Sequence, residues 1–409
     1  MRLIHTSDWH LGQHFFTKSR AAEHQAFLGW LIEIVEQQQI DAVIVAGDLF
    51  DTGSPPSYAR ELYNRFVVDL QRTGCQLVIL GGNHDSVATL NESRELLSYL
   101  NTTVIANAQT DPEQQIVVLN QRNGQPGGVL CAIPFLRQRD LLSSRAGESG
   151  NQKQQALQNA IAEHYHGLYQ AACVCRQTLG LKLPIIATGH LTTVGVNTSD
   201  SVRDIYIGTL NAFPAQLFPP ADYIALGHIH RAQNVAKSEH IRYSGSPIPL
   251  SFDELGKNKS VFMVDFADGV LQQVTSLEIP TYQPMQLIKG NLQQITAQLQ
   301  QFSDYQGDLP VWLDIEVATQ DYLGDIQRRI QQLVDDLPVE VLLLRRSKEQ
   351  RSQTLVQQDK ETLNELSVGE VFERRLTIEE EMTEPRQQRM RQMFQQVVES
   401  LHHGEEPSA

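Results

Sequence analysis

Five short clusters in this chain combine carboxylate, imidazole and amide side chains: Asp8-Trp9-His10, Gly47-Asp48, Gly82-Asn83-His84-Asp85, Gly189-His190 and Gly227-His228-Ile229-His230. Each is weak alone, because Gly-Asp and a solitary Asp-x-His are common in turns. Together they supply Asp8, His10, Asp48, Asn83, His190, His228 and His230. That set suits a pair of divalent ions that keep positions open for water and a phosphate ester. Residues two apart, as in Asp8/His10 and His228/His230, can aim two side chains from one strand end at neighbouring ions. Asp48 is the carboxylate placed to bridge them, and Asn83 supplies a neutral amide oxygen. No thiolate takes part, which disfavours a structural zinc site. Of the four cysteines only Cys173 and Cys175 are close together. Without further soft ligands nearby they read as packed apolar side chains in a reducing compartment.

Clusters of this kind need strand ends to hold them. The aliphatic runs Arg2–Thr6, Ala42–Ala46, Leu77–Leu80, Ile185–Thr188, Tyr223–Leu226 and Ile241–Tyr243 read as strands buried on both faces. Helical spacing appears in Ala26–Val35, through Phe27, Trp30, Leu31 and Ile34, and in Tyr58–Leu70, through Leu62, Phe66, Val67 and Leu70. Alternation of strand and helix predicts an α/β domain over residues 1–279, with polar clusters beyond the carboxyl ends of its strands. After Pro280 the pattern becomes βαβαβ: strands Met285–Lys289, Val311–Val317 and Val339–Leu344, helices Leu292–Phe302 and Tyr322–Leu337. This predicts a small second domain over 280–347. From 348 to 409 a polar linker precedes two amphipathic patterns, Val368–Leu376 and Pro385–Leu401. These either dock back on the body of the chain or, as the long linker favours, on a partner.

A chain of 409 residues with 41% hydrophobic and 20% charged side chains is globular and exceeds one ordinary domain. The net charge of −15 by itself counts against nucleic acid as a partner. Two divalent cations would reverse the field locally, and much of the acid lies elsewhere, as in Glu379-Glu380-Glu381 and Glu405-Glu406. Neither a charged leader with an apolar run nor the ~18 apolar residues of a membrane span is visible. A soluble cytoplasmic protein is expected. Gly256-Lys257-Asn258-Lys259-Ser260 lacks phosphate-loop spacing, so any ATP-driven step belongs to another chain.

The set DWH…GDLFD…GGNHD…GH…GHIH resembles the calcineurin-like metallophosphoesterase superfamily. SDWHLGQ, AGDLFDTGSPP, GGNHDS, RDIYIGTL, YIALGHIHRAQ and YSGSPIPLSFDE narrow the resemblance to its DNA-processing nuclease subunits, along the whole chain. The resemblance implies two packed β-sheets flanked by helices, a small α/β capping domain, and C-terminal helices that dock on an ATPase partner. It implies that Asp8, His10 and His230 hold one metal ion and Asn83, His190 and His228 the other, with Asp48 bridging and Mn²⁺ the favoured ion. His84 would be the general acid or transition-state stabiliser, with Asp85 orienting its ring. Asp51 stands where some relatives carry a second histidine; it reads as an outer-shell contact or a cap for the following helix. Protein phosphatases of the superfamily place an arginine where this chain has Gly82, which favours a phosphodiester substrate.

The activity implied is ATP-stimulated exonuclease action on double-stranded DNA ends and endonuclease action on hairpins and single strands. It would serve replication, recombination and repair. The partner would be an SbcC-type ATPase with coiled-coil arms, in a heterotetramer containing a homodimer of this chain. A small-molecule or nucleotide phosphodiesterase is the alternative, and a non-catalytic scaffold the reading from a different class. Lys18, Arg20, Arg137, Arg139 and Arg203 are candidate DNA contacts or ordinary surface charges.

Overall fold

The computed structural model describes residues 1–142, 149–202, 212–318, 323–346, 389–390 and 393–394. Backbone contacts divide the chain into Met1–Arg346 and Ser347–Ala409.

Strands Arg2–Thr6, Ala42–Ala46, Gln76–Leu80 and Thr102–Ile105 pair in parallel in one six-stranded sheet. The antiparallel hairpin of Ser260–Ala267 and Val270–Glu278 completes it beside Arg2–Thr6. A second six-stranded sheet is built on Pro126–Cys131, Ile185–His190, Tyr223–Gly227 and Ile241–Tyr243, all parallel, with short antiparallel strands at both edges. Side chains alternate along each strand, so every central strand feeds two cores. Leu3, Ile44, Val78 and Leu80 meet Leu130, Ile186, Tyr223 and Ala225 between the sheets. Ile4, Val43, Val45, Leu77 and Ile79 pack on the other face, under helices Ala21–Gln37 and Ser57–Gln71.

The outer face of the second sheet is covered by helix Gly150–Leu179, which the sequence-based expectations do not include. Its apolar positions Leu157, Ile161, Tyr165, Leu168 and Ala172 recur every three or four residues and are buried. A Ser149/Gln152 capping box starts it, and Gly180 in the left-handed conformation ends it.

Beyond Pro280, parallel strands Met285–Gly290, Val311–Val317 and Val339–Arg346 form a three-stranded sheet with Val311–Val317 central. Helices Leu292–Leu299 and Leu323–Val334 accompany it around a separate core that includes Ile288, Ile295, Leu313, Ile315, Ile326 and Ile330. Trp312 joins this unit to the larger one. Its ring stacks on Phe15 at 5.9 Å and 9°, beside Phe252, and Lys18 pairs with Glu340 at 2.8 Å.

Arg20 is fully buried at that junction. It pairs with Glu23, donates from Nη1 to the Pro249 carbonyl at 2.7 Å, and lies 5.0 and 5.7 Å from the Phe15 and Trp312 ring centres. The expectation of a surface or DNA-contacting charge at Arg20 is therefore corrected. A guanidinium so enclosed is a structural cation, satisfied from all sides.

The RDIYIGTL segment with Arg203 and the pattern 368–376 lie outside the described residues, as does most of 385–401. Residues 389–390 and 393–394 are helical. No helix among the described residues is long and apolar enough to cross a membrane.

Candidate two-metal centre

Every cluster lies at the carboxyl end of a parallel strand. His190 is the last residue of its strand, and Asp8, Asp48, Asn83 and His228 lie just past theirs. Asp8, His10, Asp48 and His228 have φ of 55°, 47°, 52° and 92°, a left-handed backbone that residues with a Cβ seldom adopt. Such conformations cost about 1–3 kcal/mol each and persist where surrounding contacts over-determine them. Here the loops lock one another. Asp8 N–H donates to the Gly47 carbonyl at 3.0 Å, His10 N–H to Asp48 at 3.0 Å and Leu11 N–H to Leu49 at 2.9 Å.

The side chains converge in two groups, Asp8/His10/His230 and Asp48/His190/His228, with donor atoms in each within 4.8 Å of one another. His190 Nε2 lies 3.1 Å from Asp48 Oδ2 and 2.9 Å from Asn83 Oδ1, and His228 Nδ1 lies 3.1 Å from Asn83 Oδ1. On the other side His10 Nε2 is 3.6 Å from Asp48 Oδ2. Neighbouring donors around one first-row ion, each at ~2.1 Å, lie about 3 Å apart. His10 Nε2, Asp48 Oδ2 and His228 Nε2 are moreover buried and have no hydrogen-bond partner among the described residues. Buried polar atoms are seldom left so, and cations on the two sides of Asp48 would satisfy them. The residues fit two divalent ions, one on each side of Asp48.

A second ring of bonds aims the ligands. His10 Nδ1 is held by Asp51 Oδ1 at 3.1 Å, His190 Nδ1 by the Ala46 carbonyl at 2.9 Å and His230 Nδ1 by Ser201 Oγ at 2.6 Å. In each case Nε2 is the nitrogen left for an ion. Asp8 accepts from His228 N–H at 2.8 Å and from Ser7 Oγ at 2.5 Å.

The local charges pull strongly on one another. Burial disfavours ionisation of Asp48, but the imidazoles of His190 and His10 hold its carboxyl well below the usual range. Burial also lowers His190, yet Asp48 outweighs it and raises the imidazole to about 9. His228, buried and facing His190, is pushed well below the ordinary value.

His84 stands beside both groups, its ring 4.6 Å from that of His10. Its donors also fall within 4.8 Å of those of His10 and Asp48, so proximity alone does not separate it from the ligands. The bonding does. His84 N–H donates to Asp48 Oδ1 at 2.9 Å, and Nδ1 donates to the Asp51 carbonyl at 2.8 Å.

Asp85 does not orient His84, contrary to the expectation from sequence. Its carboxylate accepts from Gly82, Leu49 and Phe50 N–H groups at 2.8, 3.1 and 2.9 Å. It thereby pins the GGNHD turn to the loop that carries Asp48. Burial and the nearby Asp48 raise it to about 6. Nor does Asp51 cap the following helix. Helix Ser57–Gln71 begins at Pro56 with no side-chain cap, and the Asp51 carboxylate goes to His10.

Gly82 is required by space rather than by the choice of substrate. A Cβ there would lie 2.2 Å from Asp48 N and 2.1 Å from Asp48 Oδ1, so no larger residue fits whatever the substrate. Among the basic candidates, Arg137 donates to the Asp85 carbonyl at 3.2 Å, and Arg139 lies 3.7 Å from Asp140. Ser7, Ser201, Glu254 and Lys259 support the centre without having been expected from sequence. Glu254 closes the YSGSPIPLSFDE motif, the one signal that could have drawn attention to it.

Comparison with known proteins agrees with this geometry. A family model described as calcineurin-like phosphoesterase matches residues 1–232, and one described as "Type 5 capsule protein repressor C-terminal domain" matches 281–380. Fold and site thus define a two-metal calcineurin-like phosphoesterase. The SbcD subunit of nuclease SbcCD from Escherichia coli K12 is 61% identical over 98% of each chain. Its counterparts from Rhodobacter capsulatus and Bacillus subtilis are 34% and 31% identical, over 71% of each chain and over 79% of this chain and 81% of the relative. The chain belongs to the SbcD family and is a metal-dependent nuclease.

Proposed function

We propose that this chain cleaves phosphodiester bonds of DNA as the nuclease component of a complex with an SbcC-type ATPase. Exonuclease action on double-stranded ends and endonuclease action on hairpins and single strands would both be ATP-stimulated. The observation that carries the reading is the position of Asp48 Oδ2, 3.1 Å from His190 Nε2 and 3.6 Å from His10 Nε2, with unsatisfied buried atoms on both sides.

Asp8, His10 and His230 would hold one ion and Asn83, His190 and His228 the other, with Asp48 serving both. Mn²⁺ suits this mixed nitrogen and oxygen set. When bound, the ions supply Lewis acidity to the phosphate and to the attacking water. The Asp51 carbonyl fixes His84 with Nδ1 protonated, so proton exchange with the leaving oxygen falls to Nε2.

The division into a nuclease domain (1–279), a capping domain (280–347) and ATPase-docking helices (348–409) belongs to the same proposal, as do a cytoplasmic location and a homodimer within a heterotetramer. A chain with net charge −15 leaves most phosphate contacts to its partner, so its own DNA affinity should be weak and fall steeply with salt. The purified chain with Mn²⁺ should degrade DNA. Hydrolysis of a small chromogenic diester, with none of DNA even beside the ATPase, would return the reading to a small-molecule phosphodiesterase. Truncation after Gln350 should abolish co-purification with the ATPase while the nuclease domain stays folded.

A further inference from the structure

A largely buried polar chain ends on one of the proposed metal ligands and has no part in the chemistry described above. Ser201 Oγ lies 2.6 Å from His230 Nδ1 and 2.5 Å from Glu254 Oε1. A carboxylate only accepts, so the serine proton points to Glu254 and the serine oxygen is left to accept from His230. The direction of the chain is then settled: His230 Nδ1–H to Ser201, and Ser201 O–H to Glu254. Glu254 Oε1 also stands 3.5 Å from His230 Nδ1 itself.

Glu254 is built in firmly. Its side chain is fully buried, and its other oxygen accepts from Lys259 Nζ at 2.5 Å, Leu250 N–H at 3.2 Å and Ser246 Oγ at 3.3 Å. Ser199 and Ser251 hydroxyls reach Oε1 at 3.1 and 3.2 Å. Lys259 Nζ donates as well to the His230 carbonyl at 2.9 Å. One ion pair therefore grips both the ring and the backbone of a single ligand. A buried carboxylate and ammonium are costly to desolvate and contribute little net stability by themselves. Ligating imidazoles, by contrast, depend on the acceptor of their other N–H for tautomer, orientation and basicity.

We infer that Glu254 is a positioning residue for His230, acting through Ser201, and that it governs the ion held by Asp8, His10 and His230 while leaving the Asn83, His190 and His228 position untouched. This rests on the two-ion reading of the centre. His190 has a separate support, the Ala46 carbonyl, and the described bonds of Glu254 do not reach it. His230 and His190 consequently have separate outer supports, Ser201 with Glu254 for one and the Ala46 carbonyl for the other.

The test is direct Mn²⁺ titration of the full-length chain, reading free Mn²⁺ by electron paramagnetic resonance and folding by circular dichroism. Glu254→Gln should weaken one of two Mn²⁺ classes by roughly 10- to 100-fold and leave the other unchanged. The weakened class should be the one that survives in Asn83→Ala. Ser201→Ala keeps the Glu254–Lys259 pair intact and should weaken the same class by less, which preserves the test if Glu254→Gln fails to fold. Equal weakening of both classes, or no change in either variant, overturns the inference. A wild-type chain that binds a single Mn²⁺ overturns instead the two-ion reading on which it stands.

Discussion

His84 Nδ1 donates to the backbone carbonyl of Asp51 at 2.8 Å, while the carboxylate of the same Asp51 accepts from His10 Nδ1 at 3.1 Å. One residue thus aims the proposed acid with its main chain and a metal ligand with its side chain. The two duties separate cleanly by substitution. Asp51→Ala keeps the carbonyl and should raise the Mn²⁺ concentration needed for half-maximal cleavage about 10-fold or more, with kcat at saturating metal close to wild type. His84→Gln should do the reverse, sparing Mn²⁺ affinity and lowering kcat by roughly 10²–10⁴-fold. Metal titrations of cleavage rate distinguish them; unchanged cleavage in His84→Gln would remove His84 from the chemistry.

Gly82 leaves no room for a side chain against Asp48. Gly82→Ala must displace the bridging aspartate or its loop, a strain of about 1–3 kcal/mol or more. Both Mn²⁺ affinities should fall together if Asp48 serves both ions as proposed. Calorimetric titration beside urea unfolding would show it, and loss of a single class would mean that Asp48 does not bridge.

The metal-free chain should have a distinctive pH dependence. The folded state raises His190 from 6.5 to about 9 through Asp48. A raised imidazole stabilises fully below its unfolded value and loses that contribution as pH climbs through the folded one. Stability of the apo chain should therefore decline between about pH 6.5 and 9, by at most on the order of 3 kcal/mol. Ion binding must expel that proton, so Mn²⁺ affinity should rise over the same range. Urea midpoints with and without Mn²⁺ at several pH values test both signs.

Arg20 supplies the last contrast. Arg20→Met leaves Glu23 buried without its cation, and removing one partner of such a pair typically costs about 3–5 kcal/mol. The thermal midpoint should drop sharply while the salt dependence of DNA binding stays as in wild type. A shallower salt slope would restore Arg20 to the candidate phosphate contacts.

Much of this molecule is legible without its structure. The runs Arg2–Thr6, Ala42–Ala46 and Val311–Val317 are strands with those very limits. The βαβαβ order after Pro280 also stands, because buried parallel strands need continuous apolar runs and covering helices need a 3.6-residue stripe. The seven candidate ligands are legible for a similar reason: few other roles ask for His, Asp and Asn just past strand ends, and these residues do converge. Helix Gly150–Leu179 escapes notice because its narrow apolar stripe is diluted by glutamines, although the stripe itself has helical spacing.

Which atom touches which is a different matter. That Asp85 clamps backbone amides, that Asp51 serves His10 and His84, that Gly82 is glycine for lack of space and that Arg20 is walled in by two aromatic rings all depend on contacts between segments that are mostly distant in sequence. Sequence determined the ligand types and the strands that present them, since those follow from local periodicity and coordination chemistry. Only the tertiary structure decided how the ligands are aimed, because nearly every aiming bond comes from a loop or strand end elsewhere in the chain.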